Sequence, residues 1–253
     1  MKKFKIIFGM IFLYRNFFRV IFDRLNISSK VTSIYYLYDN VKYKCRSHSD
    51  DFSIINELYI FKAYLSKKDR SNKVKTIIDL GAHIGIFSIQ AAKLFPNAKI
   101  YAFEAFEENY NLLKENIALN NMNRQITPEC IAVSSDSNKK LTLYLQDSST
   151  GGHSITPEGQ NTIQVNTITL EEIFHKYNIK QCDLLKIDIE GSETLIKKSL
   201  TKLLPKISKI YMEYHEDACL LEVWEKFFTE NKFQMEINLK LKIIKATRTP
   251  LTL

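Results

Sequence analysis

The chain has 253 residues, of which 45% are hydrophobic and 25% charged, and this balance is typical of a folded globular protein and excludes a disordered or fibrous one. The net charge is +8, but residues 1–30 hold seven Lys or Arg against one Asp, so the rest of the chain lacks the basic surface of a nucleic-acid-binding protein. The four cysteines form no C-x-x-C pair and no two histidines stand four positions apart, which argues against a zinc site or a disulfide framework.

Residues 1–25 predict an amphipathic helix, because Arg15, Asn16, Arg19 and Asp23 share one side of an otherwise apolar segment. The longest uninterrupted apolar run covers residues 6–14, which is too short to cross a bilayer, and no cleavage site of small residues follows it. The helix either packs on protein or lies on an anionic membrane surface. We favour packing, since apolar helix faces are most often core.

Two further elements precede the first motif. Residues 34–45 alternate around Asp39 and Asn40, which predicts a β-hairpin, and residues 54–65 predict a helix.

Residues 76–104 predict a strand, a glycine turn, a helix and a second strand that ends in Glu104. The glycines are spaced G-x-x-x-G, unlike the G-x-G-x-x-G of dinucleotide sites, and Asp79 precedes Gly81 by two residues. The carboxylate of Asp79 would repel a phosphate but suits the ammonium and sulfonium groups of S-adenosylmethionine. Glu104 could accept hydrogen bonds from the ribose hydroxyls of the same molecule. The amides at the start of the helix suit the carboxylate of the methionine moiety. A tight turn of another α/β protein stays an alternative.

The middle of the chain predicts a helix over residues 107–120, a strand over 126–133 and a two-stranded insertion formed by 141–145 with 162–166. The polar loop between those two strands contains His153. Such a loop is either a lid over a site or an ordinary surface loop.

Residues 183–189 predict a buried strand whose end carries Lys186, Asp188 and Glu190 at alternate positions, and a helix is expected to begin near Ser192. Strands of parallel sheets are normally aliphatic. These polar groups therefore indicate either active-site chemistry or a hydrogen-bond network that satisfies the polar groups at the start of the helix. We favour chemistry, because ligands of open α/β sheets bind at this edge.

These blocks resemble the FkbM-type methyltransferase family, whose pattern joins a D-x-G-A-x-x-G turn, an acid at the end of the second strand and a later K-x-D-x-E-G-x-E block. Here they read Asp79-Leu-Gly81-Ala82-His83-Ile84-Gly85, then Glu104, then Lys186-Ile-Asp188-Ile-Glu190-Gly191-Ser192-Glu193. The resemblance covers roughly residues 74–216. Two positions depart from it, His83 where Asn is common and Ala105 where Pro often follows the acid.

The resemblance implies an α/β fold of the Rossmann-like class I methyltransferase type, with a mostly parallel seven-stranded sheet flanked by helices. It implies residues 71–253 as the methyltransferase domain, preceded by an extension over residues 1–70. The implied activity is O-methylation of a hydroxyl on a sugar, glycan or secondary metabolite, with S-adenosylmethionine as cofactor. The residues expected at the cofactor are Asp79, Gly81, Ala82, His83, Gly85 and Glu104, and those expected at the acceptor are His153, Lys186 and Glu193.

Methyl transfer to a hydroxyl benefits from a base, and we expect Asp188 or Glu190 to accept the proton, directly or through His215. A magnesium or manganese ion held by these three residues and Glu213 is a less favoured alternative, so no metal is expected.

Other functions fit less well. No two prolines are adjacent, which disfavours the strand end of nucleic-acid amino-methyltransferases, and Asp79 disfavours an oxidoreductase. A catalytically silent binding module or membrane adapter stays open. We expect a small-molecule or glycan acceptor, no nucleic-acid partner and a cytoplasmic location, with peripheral contact at the inner membrane face through residues 1–25 as the alternative. The sequence does not indicate an oligomeric state.

Overall fold

The computed structural model describes residues 9–25, 32–47, 49–137, 139–145, 161–215 and 219–249. The strands of this part are β1 Thr32–Tyr36, β2 Lys42–Arg46, β3 Thr76–Leu80, β4 Lys99–Glu104, β5 Ile126–Cys130, β6 Ala132–Val133, β7 Lys140–Leu145, β8 Asn161–Ile168, β9 Leu184–Ile187, β10 Lys209–Glu213, β11 Phe233–Asn238 and β12 Ile243–Arg248. The helices are α1 Phe17–Arg24, α2 Asp51–Tyr59, α3 Ile86–Leu94, α4 Glu107–Leu119, α5 Leu170–Lys176, α6 Lys197–Leu203 and α7 Leu221–Glu230.

Seven strands form one sheet in the order β11-β12-β10-β9-β3-β4-β5, which confirms the predicted fold class. The strands from β10 to β5 run parallel, and β12 joins β10 and β11 antiparallel. Both faces are covered, because Ile77 of β3 belongs to one apolar cluster and its neighbour Ile78 to another. The carboxyl ends of β3, β4, β9 and β10 therefore meet at one edge, where ligands of such sheets bind.

The N-terminal extension shares a core with the sheet. Tyr14, Tyr35 and Tyr43 are fully buried or nearly so, and they belong to the same apolar cluster as Ile77. Polar contacts join the two parts as well, since the side-chain amide of Asn116 donates to the carbonyl oxygens of Lys44 and Ile84. The hairpin is thus packed directly against α4.

Two predicted helices of the extension are shorter than expected. Residues 9–13 are helical, but the carbonyl oxygen of Leu13 accepts from the amide of Tyr38 and the amide of Arg15 donates to the carbonyl oxygen of Tyr36, so the helix does not continue into α1. The helix predicted over residues 54–65 ends at Tyr59, because Lys62 adopts a left-handed conformation. The chain then turns back and buries Tyr64 in the core.

Two later predictions also need correction. The strand predicted over residues 126–133 is divided, because β5 pairs with β4 in the main sheet whereas β6 pairs with β8 in a three-stranded sheet. The helix predicted near Ser192 begins at Lys197, after a series of turns that starts with Glu190 and Gly191 at positive φ. The predicted pairing of residues 141–145 with 162–166 is present, since β7 and β8 pair antiparallel.

In the described part of the chain, every helix is too short or too polar to cross a membrane.

Candidate active site

The glycine turn after β3 is shaped by the end of β9. Gly81 has a φ of +73°, and a Cβ added there would lie 1.7 Å from the backbone oxygen of Asp188. Gly85 has a φ of +90°, and its Cβ would lie 2.6 Å from Cδ1 of Leu113. The immediate neighbours of both glycines are parts of the protein itself. The turn and the end of β9 are therefore held in contact.

Glu104 is fixed at the end of β4 by backbone donors. Its carboxylate accepts hydrogen bonds from the amides of His83, at 2.7 Å, and Phe106, at 2.9 Å. Burial raises the pKa of Glu104, and these two amides partly oppose that effect. A carboxylate has about four lone-pair positions, so Glu104 keeps acceptor capacity for a ligand while its orientation is set.

Asp79 is completely buried beneath the turn. Ser88 donates to its Oδ2 at 2.6 Å, and Nζ of Lys186 lies 3.3 Å from its Oδ1. The carboxylate therefore faces protein groups and does not reach the cavity wall. Its role as a cofactor-binding residue stays a prediction, and the structure indicates that it acts by holding Ser88 of α3 and Lys186 of β9 beside the turn.

His83 joins the turn to the extension. Its ring Nε2 lies 3.4 Å from Oδ1 of Asp51 and 3.3 Å from Nη2 of Arg46. Burial lowers the pKa of His83 to about 4, so the ring is neutral at pH 7. Burial acts to raise the pKa of Asp51, but hydrogen bonds from Arg46 outweigh it and lower that pKa. The residue that departs from the family pattern thus contacts the hairpin and α2.

A cavity of about 380 Å³ opens at this edge of the sheet. Its wall combines two groups of residues: the turn with Glu104 and the segment after β4, and the ends of β9 and β10 with α2. We call these the donor end and the acceptor end. The predicted site residues on the cavity wall are Gly81, Ala82, His83, Glu104, Lys186, Asp188 and Glu190.

His215 lies behind the acceptor end, between two carboxylates. Its Nε2 is 3.3 Å from Oε2 of Glu190, and its Nδ1 is 3.0 Å from Oε1 of Glu193. Burial acts to lower the pKa of His215, but the two carboxylates raise it to about 11. A histidine that already carries its proton cannot accept another, so the geometry favours a carboxylate over His215 as the base. Glu193 is almost fully buried and contacts His215 instead of the cavity.

Asp188 stands at the centre of a second group. Its Oδ2 lies 3.1 Å from Nζ of Lys186 and 3.5 Å from the hydroxyl of Tyr64. The same hydroxyl donates to Oε2 of Glu213 at 3.3 Å. Burial lowers the pKa of Lys186, but Asp188 and Asp79 outweigh it and raise that pKa, so the lysine stays charged.

Sequence reasoning missed three groups on the wall of the acceptor end: Glu57, Tyr64 and Asp50. All three belong to the extension, where no motif marks them. Glu213 also lines the cavity, and it was noticed only as a candidate metal ligand. If the helix had been predicted to end at Tyr59, Tyr64 would have been assigned to a loop. That is the only signal for Tyr64 that the sequence offered.

The residues of the less favoured metal alternative are only partly brought together. Among the described residues, one ligand atom each of Asp188, Glu190 and His215 lies within 4.8 Å of the others, and Glu213 is not in that group. Both ring nitrogens of His215 already face carboxylates. His153, predicted to contact the acceptor, lies outside the described residues.

Comparison with known sequences finds a matching family model and several relatives. The model of the methyltransferase FkbM domain matches residues 79–235. The methyltransferase sdnD of Sordaria araneosa is 26% identical over 194 residues, which cover 64% of this chain and 73% of that protein. Methyltransferase 1 of Beauveria bassiana is 27% identical over 143 residues, which cover 49% of this chain and 57% of that protein. The hexuronic acid methyltransferase AglP of Haloferax volcanii is 26% identical over 159 residues, which cover 63% of each chain.

Solved structures resemble the chain more distantly. M. jannaschii TYW2 in complex with AdoMet has a TM-score of 0.48 and 16% identity, with 88% of this chain and 89% of that one covered. A precorrin-6y C5,15-methyltransferase from Geobacter metallireducens has a TM-score of 0.44 and 15% identity, with coverages of 72% and 85%.

Proposed function

Because this chain belongs to the FkbM methyltransferase family, which uses S-adenosylmethionine as methyl donor, we propose that it O-methylates a hydroxyl group of a sugar, a glycan or a secondary metabolite. One observation carries the proposal. The glycine turn and Glu104 share a single cavity of about 380 Å³ with the carboxylates of Asp188 and Glu190. A donor site and a group able to accept a proton therefore lie side by side.

The donor would occupy the end of the cavity formed by the turn and β4. Glu104 is oriented by two amides and is able to accept from the ribose hydroxyls. The amides at the start of α3 suit the methionine carboxylate, because a helix N-terminus carries a partial positive charge. Gly81 and Ala82 form the wall between these two groups.

The acceptor would approach from the ends of β9 and β10. Methyl transfer is an in-line displacement, so the protein has to hold the hydroxyl oxygen about 3–3.5 Å from the methyl carbon and exclude water. As the new C–O bond forms and the C–S bond breaks, the hydroxyl proton leaves to a base, which we assign to Glu190. Burial raises the pKa of Glu190, and this makes the ionised carboxylate a stronger base. His215 keeps it oriented.

Transfer of a labelled methyl group from S-adenosylmethionine to a panel of hydroxylated acceptors tests the function. We expect Glu190→Gln to lower turnover by about 10²- to 10⁴-fold at saturating donor, since a positioned base contributes that much. Donor affinity, measured by calorimetry, should stay close to that of the unchanged protein. Glu230→Gln, at an exposed position on α7, is the matched control and should keep full turnover.

Three results would contradict this assignment. Full turnover by Glu190→Gln would exclude Glu190 as the base and move the role to Asp188. Loss of turnover in EDTA, with recovery in magnesium or manganese, would favour the metal alternative at Asp188, Glu190 and His215. Donor binding without transfer to any acceptor would favour a silent binding module.

We also propose that the first helical segments contact an anionic membrane surface at its cytoplasmic face. Met10, Tyr14 and Val20 are buried in the core, but the opposite side exposes Phe12 and Phe18, the latter by 75%. Arg15 is exposed on the same segment, and Lys2, Lys3 and Lys5 precede it in the sequence. Exposed aromatic rings beside basic side chains suit a lipid surface of negative charge.

Cosedimentation with vesicles of phosphatidylcholine, with and without phosphatidylserine, tests this contact. Binding should require phosphatidylserine and weaken as salt rises, because screening reduces attraction between exposed charges. Phe12→Ser with Phe18→Ser should lower binding several-fold, whereas Leu239→Ser, at a similarly exposed apolar position elsewhere, should not. Equal binding by both variants would refute the contact.

A further inference from the structure

The wall of the cavity is rich in acids. Among the described residues that line it, six carry carboxyl groups: Asp50, Glu57, Glu104, Asp188, Glu190 and Glu213. Only Lys186 and His83 on this wall could oppose them with positive charge. Five of the six acids surround the acceptor end, and Glu104 alone belongs to the donor end.

Neither basic side chain offers a free positive charge to a ligand. Nζ of Lys186 lies 3.3 Å from Asp79 and 3.1 Å from Asp188, and it donates to the carbonyl oxygen of Gly81 at 2.6 Å. Burial keeps His83 neutral, with a pKa of about 4. The charge of His215, behind the wall, is flanked by two carboxylates.

The raised pKa of Glu213 is consistent with an excess of negative charge around it. Burial, together with the neighbouring carboxylates of Asp188 and Glu57, raises the pKa of Glu213 to about 9. A carboxyl group that keeps its proton at neutral pH lies where a further negative charge is unfavourable.

We propose that the acceptor is a sugar-sized hydroxylated molecule that is uncharged or carries an amino group, and that a carboxylate or phosphate beside the reacting hydroxyl is rejected. This proposal rests on the function proposed above. Carboxylates accept hydrogen bonds from hydroxyl and ammonium groups, whereas they repel an anion. At the short distances within this cavity, repulsion from the carboxylates should make an anionic acceptor bind about tenfold or more weakly than a neutral or cationic one.

The donor's sulfonium benefits from the same negative surrounding, so the test has to hold the donor site constant. Three methyl pyranosides with the same ring serve as probes: methyl glucoside, methyl glucosaminide and methyl glucuronoside. Each is titrated by NMR into the full chain saturated with S-adenosylhomocysteine. We expect the glucoside and the glucosaminide to bind at least about tenfold tighter than the glucuronoside, and the difference to shrink with salt.

A charge reversal on the wall sharpens the test. Glu57→Lys replaces a lining carboxylate of α2 by a cation and should reduce the discrimination against the glucuronoside by about tenfold. Glu230→Lys makes the same change in charge at an exposed position outside the cavity and should leave it unchanged. Circular dichroism of both variants verifies that they fold.

Equal or tighter binding of the glucuronoside would overturn the proposal, as would an absence of binding by all three pyranosides. Such a result would leave the methyltransferase function standing if the labelled methyl group is transferred to any anionic acceptor. Absence of transfer to every acceptor would instead refute the proposed function, so the two failures are distinguishable.

Discussion

At the donor end of the cavity, Glu104 is held by backbone amides, whereas the acids of the acceptor end are held by other charged side chains. Glu104 accepts from two amides. By contrast, Glu190 faces His215, and Asp188 faces Lys186. A backbone donor keeps its hydrogen at every pH, whereas the charge of an ion pair depends on protonation and on salt. We therefore expect donor binding to weaken only as pH falls and Glu104 itself takes up a proton, whereas acceptor binding and turnover should also change as pH rises and His215 loses its proton.

The two ends also differ in how far apart their residues lie in the sequence. The donor end comes from one continuous segment, residues 76–106. The acceptor end combines α2 and Tyr64 with β9 and β10, and more than a hundred residues of chain separate Tyr64 from β9. A short motif is sufficient to mark the first end, but the second depends on how distant segments pack.

The largest expected loss of stability and activity comes from a substitution at Gly81, where the two ends meet. Gly81→Ala places a Cβ against the backbone oxygen of Asp188, so it should destabilise the fold by about 3 kcal/mol or more and abolish both donor binding and turnover. Gly85→Ala meets only the movable side-chain end of Leu113 at a strained φ and should cost about 1–2 kcal/mol. Urea unfolding and calorimetry measure both. Similar losses for the two variants would contradict this difference.

A change at Glu104 should separate the two ends. Glu104→Ala removes the proposed acceptor of the ribose hydroxyls, and hydrogen bonds to a charged group contribute about 1.5–3 kcal/mol, so the donor should bind roughly 10- to 100-fold more weakly. Turnover at saturating donor should change much less. If calorimetry found unchanged donor affinity, the ribose would have to bind elsewhere.

The pH dependence of stability tests the acceptor end. The pKa of Glu213 is raised to about 9 and that of His215 to about 11. Both groups hold protons more firmly in the folded state, so their contribution to the free energy of unfolding should fall as pH rises, from about 4.5 to 9 for Glu213 and from about 6.5 to 11 for His215. Glu213→Gln has no proton to lose there and should flatten the slope, with a melting temperature at pH 9 about 2–4 °C above the unchanged protein. A parallel slope in the variant would show that Glu213 ionises normally.

The smallest expected effect concerns the extension. Tyr64→Phe removes the hydroxyl that donates to Asp188 and Glu213, which should cost about 0.5–1.5 kcal/mol of stability and change turnover only several-fold. Tyr38→Phe, at an exposed tyrosine of the hairpin, is the control and should be neutral. An unchanged pH profile of turnover in Tyr64→Phe would show that Tyr64 does not influence the carboxylates.

The fold and the donor end were largely predictable, whereas the acceptor end was only partly so. Consecutive aliphatic residues such as Ile77 and Ile78, which are buried on opposite faces of the sheet, mark β3, and the order of the motif blocks indicated the sheet. The reason for Gly81 could not be read from the sequence, because it depends on the backbone of Asp188, more than a hundred residues away. The protonated state of His215 was equally hidden, since it follows from carboxylates that only the turn after β9 places beside it.

The position of β12 has a consequence for biosynthesis. This strand pairs with both β10 and β11, although it follows both in the chain. Until residues 243–248 have emerged from the ribosome, one side of β10 has unpaired amides and carbonyls, and Tyr64 lacks the contact that Lys245 makes with its carbonyl oxygen at 2.7 Å. An open strand edge of this kind is a site for pairing with other nascent chains. Translation that stalls before β12 should therefore yield chains that depend on a chaperone to stay soluble.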